Sequence, residues 1–217
     1  MKIAHIADTH IKNLKYHDEY REIFNKMYGI LRSEGVDYIV HCGDIAHTKT
    51  QISPEFVEMA GDFFKNLASI APTYIILGNH DANLKNDSRT DAISPIINAL
   101  NLPNLHLLKY SGEHRVNENL TFNILSRMDE NKWIKPTDPN KINIALYHGS
   151  IAGVQTDIGH VMQHGDFDIK IFDGHDFAFL GDIHKTNQGL DTKKVIIEID
   201  EEEFEEYRKK GWSLVEQ

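Results

Sequence analysis

Short apolar runs alternate with amphipathic stretches along the first 188 residues, and this alternation most constrains the fold. The runs at 2–7 and 36–42 are rich in isoleucine and valine, which is typical of buried strands. Between them, residues 19–33 place their apolar side chains at helical spacing, and Gly35 follows as a common helix terminator. The pattern predicts an α/β fold in which strands and helices alternate.

Further along the chain the same signals recur. Ser53-Pro54 is a typical helix start, with a capping side chain followed by proline at the first helical position. Apolar runs at 105–110 and 120–125 flank a polar turn at 111–113 and predict a β-hairpin. Further elements are expected as strands over 73–77, 142–147 and 177–180, and as a helix over 91–100 whose first turn Pro95 would delay.

The charge balance and the cysteine count exclude several kinds of binding surface and site. The chain has 23 basic and 33 acidic residues and a net charge of -10, which argues against nucleic-acid binding through a diffuse basic surface. Cys42 is the single cysteine, so an intramolecular disulfide and a cysteine-built zinc site are excluded, and a reducing compartment is expected. No apolar run approaches the roughly 20 residues that span a bilayer, so we expect a cytoplasmic protein without a membrane partner.

Five polar clusters follow five of the predicted strands. They are Asp8/His10, Asp44, Asn79/His80, His148 and Asp182/His184. Ligands gather at the carboxyl ends of strands in α/β sheets, so these side chains are expected to converge. All are oxygen or imidazole donors, which suit first-row divalent metals, and the 13 histidines of the chain fit such a site.

The chemistry of these donors predicts a two-metal site. A carboxylate bridges two cations through its two oxygens, and Asp44, in a tight Gly-Asp turn, is the candidate bridge. Asp8 and His10 are two residues apart and would point the same way on an extended chain, toward one ion. Two such ions activate a water and clamp a phosphoryl group for in-line displacement.

The ordered set of motifs resembles the calcineurin-like metallophosphoesterases. It consists of Asp8-x-His10, Gly43-Asp44, Gly78-Asn79-His80-Asp81, His148 and Gly181-Asp182-x-His184. Within that family the chain is most similar to the SbcD-type DNA double-strand-break repair nucleases, in particular the T-even phage recombination nuclease subunit. The resemblance covers residues 1–188 and implies a four-layer α/β/β/α sandwich, with two mixed sheets flanked by helices and two divalent ions, Mn²⁺ or alternatively Mg²⁺.

The resemblance also implies a role for each site residue. One ion would be held by Asp8, His10, Asp44 and His184, and the other by Asp44, Asn79, His148 and Asp182. His80 would stabilise or protonate the phosphoryl transition state with the neighbouring Asp81 as its partner, and His47 would help to position DNA for exonuclease cutting. Most of the family has histidine where Asp182 stands. Gly174-His175 is a rival to His148 for a ligand position, and His148 is preferred because it ends an apolar strand, whereas His175 precedes one.

Partners and organisation follow from the same resemblance. It implies a DNA substrate, an SbcC-type ATPase partner, action in the host cytoplasm as a phage-encoded protein, and a homodimer formed through helices near the Asn79 motif. Ile93, Ile96, Ile97 and Leu100 would supply the dimer face, or would pack against the protein's own sheet.

Residues 189–217 form a separate acidic segment that stands where the family has its capping and ATPase-docking regions. Lys12, Lys15, Lys85 and Arg89 lie near enough to the motifs in sequence to contact phosphates, although solubility alone would explain at least two of them.

Two other functions fit the same residues. The metal site would equally serve a phosphatase or small phosphodiesterase, which needs no basic groove. A dimerising scaffold with dormant catalysis is the third reading. Outside the motifs, His5 and His41 are expected to pack within strands or to hydrogen-bond to the second ring nitrogen of a metal ligand. His17, His106, His114, His160 and His164 are expected at the surface.

Overall fold

Two mixed β-sheets pack face to face in the computed structural model, which describes residues 1–84, 86, 88–152 and 165–182, and the backbone alone of 196–198. The first sheet has the order β11-β1-β2-β3-β4, and the second has the order β10-β7-β6-β5. The strands of the first sheet are β1 (Lys2–Ile6), β2 (Tyr38–Cys42), β3 (Thr73–Ile76), β4 (Leu105–Leu107) and β11 (Ile196–Glu198). The strands of the second are β5 (Gly112–Arg115), β6 (Leu120–Leu125), β7 (Ile142–His148) and β10 (Phe177–Gly181), and β8 (Ile151–Ala152) pairs separately with β9 (Phe167–Asp168).

Strand direction brings the polar clusters to one end of the sandwich. Strands β1 to β4 run parallel to one another, as do β6, β7 and β10. Only β11 and β5 run antiparallel to their neighbours among the described strands. The loops after β1, β2, β3, β7 and β10 therefore leave the two sheets at carboxyl ends, where ligands gather in α/β folds.

Among the described residues, three helices cover the outer face of the first sheet. They are α1 (His17–Glu34), α2 (Pro54–Ile70) and α3 (Ser94–Leu100). Helix α1 ends at Gly35 in the left-handed conformation, and the Oγ of Ser53 accepts a hydrogen bond from the amide of Phe56 to cap α2, as the sequence predicted. Aromatic side chains fill the space between α1 and α2, with the rings of Phe24 and Phe63 4.6 Å apart.

The outer face of the second sheet is covered differently. Within the described residues its cover consists of the loop at 130–141 and two short 3₁₀ helices, Glu130–Lys132 and Ile169–Phe172. Trp133 and Phe172 pack there against Tyr147 of β7. Between the sheets, a second apolar core is built from inward-facing side chains such as Val40, Phe122 and Phe179. The predicted sandwich of two mixed sheets with flanking helices is confirmed.

The predicted hairpin between 105–110 and 120–125 is wrong. Residues Leu105–Leu107 form β4, which pairs in parallel with β3 in the first sheet. The supposed turn instead opens β5, which pairs antiparallel with β6 in the second sheet. The chain therefore crosses between the sheets at 108–111, and the true hairpin turn lies at 116–119, where Asn117 accepts hydrogen bonds from the amides of Asn119 and Leu120.

The apolar residues expected at a dimer interface pack inside the protein instead. Ile93, Ile96 and Ile97 are buried in the core beneath the helices, and Leu100 packs against the same core. The alternative reading of these residues, packing against the chain's own sheet, is the one that the structure shows.

The division at residue 188 lies largely outside the described residues. Only the backbone of β11 is described there, and it pairs with β1. Among the described helices, none is long and apolar enough to cross a membrane.

Candidate metal centre

Two loops that carry predicted ligands are joined along their backbones. The amide of Asp8 donates to the carbonyl of Gly43 at 3.1 Å, and the amide of His10 donates to the carbonyl of Asp44 at 2.9 Å. Ile11 and Ala46 continue this contact as a parallel bridge. The loop after β1 is therefore fixed against the loop after β2, which sets the position of their side chains.

Two ligand triads share the carboxylate of Asp44. One consists of His10, Asp44 and His80, and the other of Asp8, Asp44 and His148, with the ligand atoms of each triad within 4.8 Å of one another. Asp44 is fully buried, and its Oδ2 lies 3.3 Å from Nε2 of His148 and 3.7 Å from Nε2 of His10. Its Oδ1 accepts a hydrogen bond from the amide of His80 at 2.8 Å.

The structure groups Asp8 and His10 differently from the sequence-based expectation. An extended chain would point both side chains toward one ion, but both residues have left-handed backbone conformations, with φ of 55° for Asp8 and 44° for His10. Asp8 consequently joins the triad of His148, whereas His10 joins the triad of His80. The premise of an extended chain was wrong because period-two geometry holds only within a strand.

The remaining predicted ligands lie around these triads. Oδ1 of Asn79 is 3.0 Å from Nε2 of His148. Asp182, with a φ of 74°, donates its amide to both carboxylate oxygens of Asp8 at 3.1 Å, and its carboxylate belongs to neither triad. His184 lies outside the described residues. Metal ligation by Asn79, Asp182 and His184 stays a prediction.

His148 is held in the orientation that a ligand requires. Its Nδ1 donates to the carbonyl of Cys42 at 2.7 Å, which directs Nε2 toward Asp44. Burial by itself lowers the pKa of His148, but the Asp44 carboxylate outweighs it and raises the pKa to about 9. Burial likewise raises the pKa of Asp44, and the neighbouring His148 more than compensates, so the pKa of Asp44 is lowered. A bound cation would take the place of the proton on Nε2 of His148.

His80 has a different partner from the one expected. Its Nδ1 donates to the main-chain carbonyl of His47 at 2.8 Å, and the rings of the two histidines lie 6.2 Å apart. Asp81 is fully buried and instead accepts hydrogen bonds from the amides of Ala46 and Gly78, at 2.8 Å and 3.0 Å. Burial raises the pKa of Asp81 to about 7 despite these donors. Asp81 thus joins the loops after β2 and β3 and does not orient His80.

His175, His41 and His5 lie in the interior, outside the two triads. His175 is buried just before β10, at the opposite end of that strand from Asp182, and its Nδ1 donates to the carbonyl of Phe172, so it does not approach the triads. His41 is fully buried, with Nε2 3.3 Å from Oγ1 of Thr9, and the ring of His5 stacks on Phe179 at 5.0 Å. Both therefore pack in the interior as expected.

Two histidines that were expected at the surface are half-buried. His106 stacks on Tyr74 with ring centroids 4.8 Å apart, and His114 lies edge-on to the same tyrosine at 5.4 Å. His17 contacts the carbonyl of Lys12 through Nε2, while His160 and His164 lie outside the described residues. Sequence alone missed the pair at 106 and 114 because their strands belong to different sheets.

The chain can be assigned to a family. The family profile described as calcineurin-like phosphoesterase matches residues 1–186. The chain belongs to the calcineurin-like phosphoesterases. Members of this family hydrolyse phosphoesters with divalent metal ions, and the two triads around Asp44 lie within the matched residues.

Viral proteins are among the relatives of this calcineurin-like phosphoesterase. The uncharacterized protein R555 of Acanthamoeba polyphaga mimivirus is 42% identical over 197 residues, covering 84% of this chain and 14% of R555. Protein 244L of Invertebrate iridescent virus 6, a phosphoesterase by its name, is 35% identical over 82 residues, covering 37% of this chain and 28% of 244L. The chain thus spans well under a third of either relative.

One solved structure is also similar. The nuclease MPE of Pseudomonas putida superposes with a TM-score of 0.38 and 17% identity, covering 69% of this chain and 63% of MPE. That likeness is too distant to bear on the activity of this phosphoesterase.

The donor set fits divalent cations. Oδ2 of Asp44 is buried and accepts no hydrogen bond of normal geometry among the described residues, while two imidazole nitrogens face it. A buried carboxylate oxygen without a donor is costly unless a cation or proton occupies the site. Imidazole and carboxylate donors together favour Mn²⁺, Zn²⁺ or Fe²⁺ over a purely oxygen-bound ion.

Proposed function

We propose that this phosphoesterase is a DNA nuclease that hydrolyses phosphodiester bonds at a two-metal site. One observation carries the proposal: the buried carboxylate of Asp44 belongs to both ligand triads. A shared carboxylate is the arrangement that holds two cations a few ångströms apart, about 3.5–4 Å in two-metal hydrolases. Mn²⁺ is the proposed metal, with Mg²⁺ as the second choice.

Each triad supplies donors for one ion. Asp8 and His148 would hold one cation with Asp44, and His10 would hold the other with Asp44. When bound, the ions supply an activated water and neutralise the charge of the phosphate. This positive charge also relieves the repulsion between a polyanionic substrate and a chain of net charge -10.

His80 is the proposed acid for the leaving oxygen. A carbonyl only accepts hydrogen bonds, so the bond to His47 fixes the proton of His80 on Nδ1 and leaves Nε2 at the other edge of the ring. In the protonated state, Nε2 would donate to a phosphoryl or leaving oxygen, and the His47 carbonyl would stabilise the imidazolium. The ring of His10 lies 4.9 Å away, which keeps His80 next to the proposed ions.

DNA is proposed as the substrate because the motif set is most similar to the repair nucleases. Lys49 supports this choice, since its ammonium group donates to the carbonyl of Asn79 at 2.8 Å and places positive charge beside the site. The SbcC-type ATPase partner and the homodimer belong to the same proposal. Since the isoleucines of α3 are buried within the chain, a dimer would use another surface.

The proposal is tested with end-labelled linear duplex and single-stranded DNA in Mn²⁺, comparing the wild type with Asp44→Asn. This variant keeps the shape of the side chain and one acceptor oxygen while removing the shared charge. Asp18→Asn is the matched control, because the side chain of Asp18 is 98% exposed in the first turn of α1. We expect cleavage by the wild type and the control and a loss of at least a hundredfold in Asp44→Asn.

Two small substrates distinguish the alternatives. Turnover of p-nitrophenyl phosphate without cleavage of DNA or of bis(p-nitrophenyl) phosphate would indicate a phosphatase and contradict the proposal. Binding of Mn²⁺ without hydrolysis of any substrate would favour the dormant scaffold.

A further inference from the structure

An exposed patch beside the metal centre combines apolar and basic side chains. It consists of Lys12, Leu14, Lys15 and Tyr16 and is called the Tyr16 patch here. Leu14 is 71% exposed and Tyr16 is 55% exposed, the two highest values among the large hydrophobic residues described. Neighbouring exposed apolar side chains with charged residues around them are typical of interaction sites, whereas isolated ones are ordinary.

The loop that carries the patch is held firmly. The Oγ of Ser53 donates to the carbonyl of Asn13 at 2.8 Å, and the side-chain amide of Asn13 donates to Thr48 and to the carbonyl of Gln51. Its Oδ1 accepts from the amide of Ser53 at 3.2 Å. Because the neighbouring backbone is fixed by these hydrogen bonds, Leu14 extends into solvent from a well-defined position.

Tyr16 adopts a backbone conformation that costs energy. Its φ is 63°, in the left-handed region, which is uncommon for a bulky residue without glycine's freedom. It directly precedes α1 and its side chain makes no capping hydrogen bond. Tyr16 therefore combines a strained backbone with a half-exposed ring. Strained backbone conformations cluster at ligand-binding sites.

The patch continues into the metal centre. The ammonium group of Lys12 lies 4.9 Å from the ring centroid of Tyr16. The ring of His47 lies 5.9 Å from that of His10 and 6.2 Å from that of His80. The amide of His47 donates to the carbonyl of Ile11 at 3.0 Å, so Lys12 directly follows the residue that holds the two loops together at the metal centre.

We infer that the Tyr16 patch binds the substrate strand through an unpaired nucleobase, with Tyr16 and Leu14 stacking on the base and Lys12 and Lys15 contacting its phosphates. The inference rests on the proposed nuclease function and adds the form of the substrate. A base presents its face to a side chain only when it is unpaired or at a strand end, so single strands and frayed ends are preferred over intact duplex. Such stacking tolerates any sequence because every base has a π-face.

The chemistry of the patch favours nucleic acid over a protein partner. Two lysines flank the apolar side chains, and the patch leads directly to a site that acts on phosphate esters. Aromatic rings alternating with cations are the usual means of holding a single strand beside a catalytic centre.

The experiment measures binding of a single-stranded oligonucleotide that contains 2-aminopurine, with Ca²⁺ in place of Mn²⁺ to prevent cleavage. Stacking of the base on a ring quenches 2-aminopurine, which a purely structural role for Tyr16 would not produce. For Tyr16→Ala we expect the quenching to disappear and the Kd to rise between fivefold and about a hundredfold. Tyr16→Phe retains the ring and is expected to restore both signals.

Tyr110→Ala is the matched control. Tyr110 is 54% exposed and Lys109 lies 5.6 Å from its ring centroid, so it reproduces the lysine–tyrosine pair at a different place in the chain. We expect it to bind as the wild type does. Equal binding by Tyr16→Ala and the wild type, or equal weakening in Tyr110→Ala, overturns the inference.

The outcome is separable from that of the proposed function. If wild-type protein with Mn²⁺ hydrolyses no phosphodiester, the nuclease proposal fails, whereas binding and quenching in Ca²⁺ still report on the Tyr16 patch. If DNA is cut but intact duplex binds as tightly as the single strand, the nuclease proposal stands and the inference about the patch is contradicted.

Discussion

Gly78 lies against the carboxylate of Asp44 with no space for a side chain between them. A β-carbon on residue 78 would come within 2.5 Å of the amide nitrogen of Asp44 and closer still to its Oδ1. That oxygen accepts a hydrogen bond from the amide of His80. Gly78, the carboxylate of Asp44 and the backbone of His80 therefore pack against one another. The glycine of this motif is needed for a close approach of two loops.

Gly78→Ala is expected to remove metal binding by displacing the Asp44 carboxylate. Overpacking at this contact should also lower the free energy of unfolding by about 1–3 kcal/mol. Isothermal titration with Mn²⁺ and urea unfolding measure the two effects. Gly29→Ala in α1 is the control, because a β-carbon there meets nothing within 4 Å, and the variant should gain about 0.5–1 kcal/mol. Normal Mn²⁺ binding by Gly78→Ala would contradict the prediction.

The buried histidines predict a loss of stability on mild acidification. Burial lowers the pKa of His5 to about 4, against a smaller opposing effect of the Leu180 backbone, and lowers the pKa of His41 to about 3. In the unfolded chain both titrate near pH 6.5, so below that pH the unfolded state binds more protons. The two histidines should therefore lower the free energy of unfolding from pH 6.5 toward pH 4. Asp81 offsets part of this loss, because its raised pKa lets the native state bind one more proton in the same range, and the net decrease should be roughly 2–4 kcal/mol.

Urea unfolding of the metal-free protein at several pH values in this range measures the effect. His41→Leu should show a weaker pH dependence than the wild type because one of the two groups is gone. A free energy of unfolding that does not change between pH 6.5 and pH 4.5 would be inconsistent with this account.

Asp91 holds the start of α3 to the segment after β4. Its carboxylate is 1% exposed and accepts hydrogen bonds from the amide and hydroxyl of Ser94, both at 2.6 Å, and from Lys109 at 2.8 Å. Burial raises the pKa of Asp91, but Lys109 and Ser94 outweigh it and the pKa is lowered. The stabilisation is therefore present above the unfolded pKa, about 4, and is lost as the pH falls below it.

Asp91→Ala is expected to cost about 1.5–3 kcal/mol, since it removes the charge-assisted hydrogen bonds that a buried carboxylate accepts from Ser94 and from Lys109, whose side chain is 20% exposed. Asp62→Asn is the matched control, because Asp62 also pairs with a lysine, Lys65 at 3.2 Å, but with both side chains more than half exposed. Its effect should stay within about 0.5 kcal/mol. Similar losses in the two variants would show that burial does not decide the strength of the Asp91 contact.

Substitutions of His47 and of His80 are expected to differ in their effect on the hydrolysis of a small phosphodiester. His80→Ala removes the proposed acid and should lower kcat for bis(p-nitrophenyl) phosphate by about 10²–10⁴. His47→Ala keeps the main-chain carbonyl that orients His80, so its kcat should fall much less. Equal losses in kcat would mean that the ring of His47 takes part in the reaction.

The sequence by itself determined the helices, most of the strands and the helix caps, although it predicted a turn where β5 forms. Gly35 ends α1 and Ser53 caps α2 because glycine tolerates a left-handed backbone and a serine oxygen accepts an orphan amide, and both effects are local. The convergence of the motifs was predictable too, since the direction of a parallel strand decides at which end its following loop lies.

The tertiary structure decided which residues meet. The run at 105–110 joins β3 and not β6, because strand pairing depends on the packing of two sheets that no local pattern encodes. Left-handed backbones at Asp8 and His10 send neighbouring side chains into different triads, and His80 finds its partner in a main-chain carbonyl that has no signature in the sequence. Local propensity fixes the elements, whereas contacts between distant segments depend on the free energy of the whole packed arrangement and are settled only when the chain is folded.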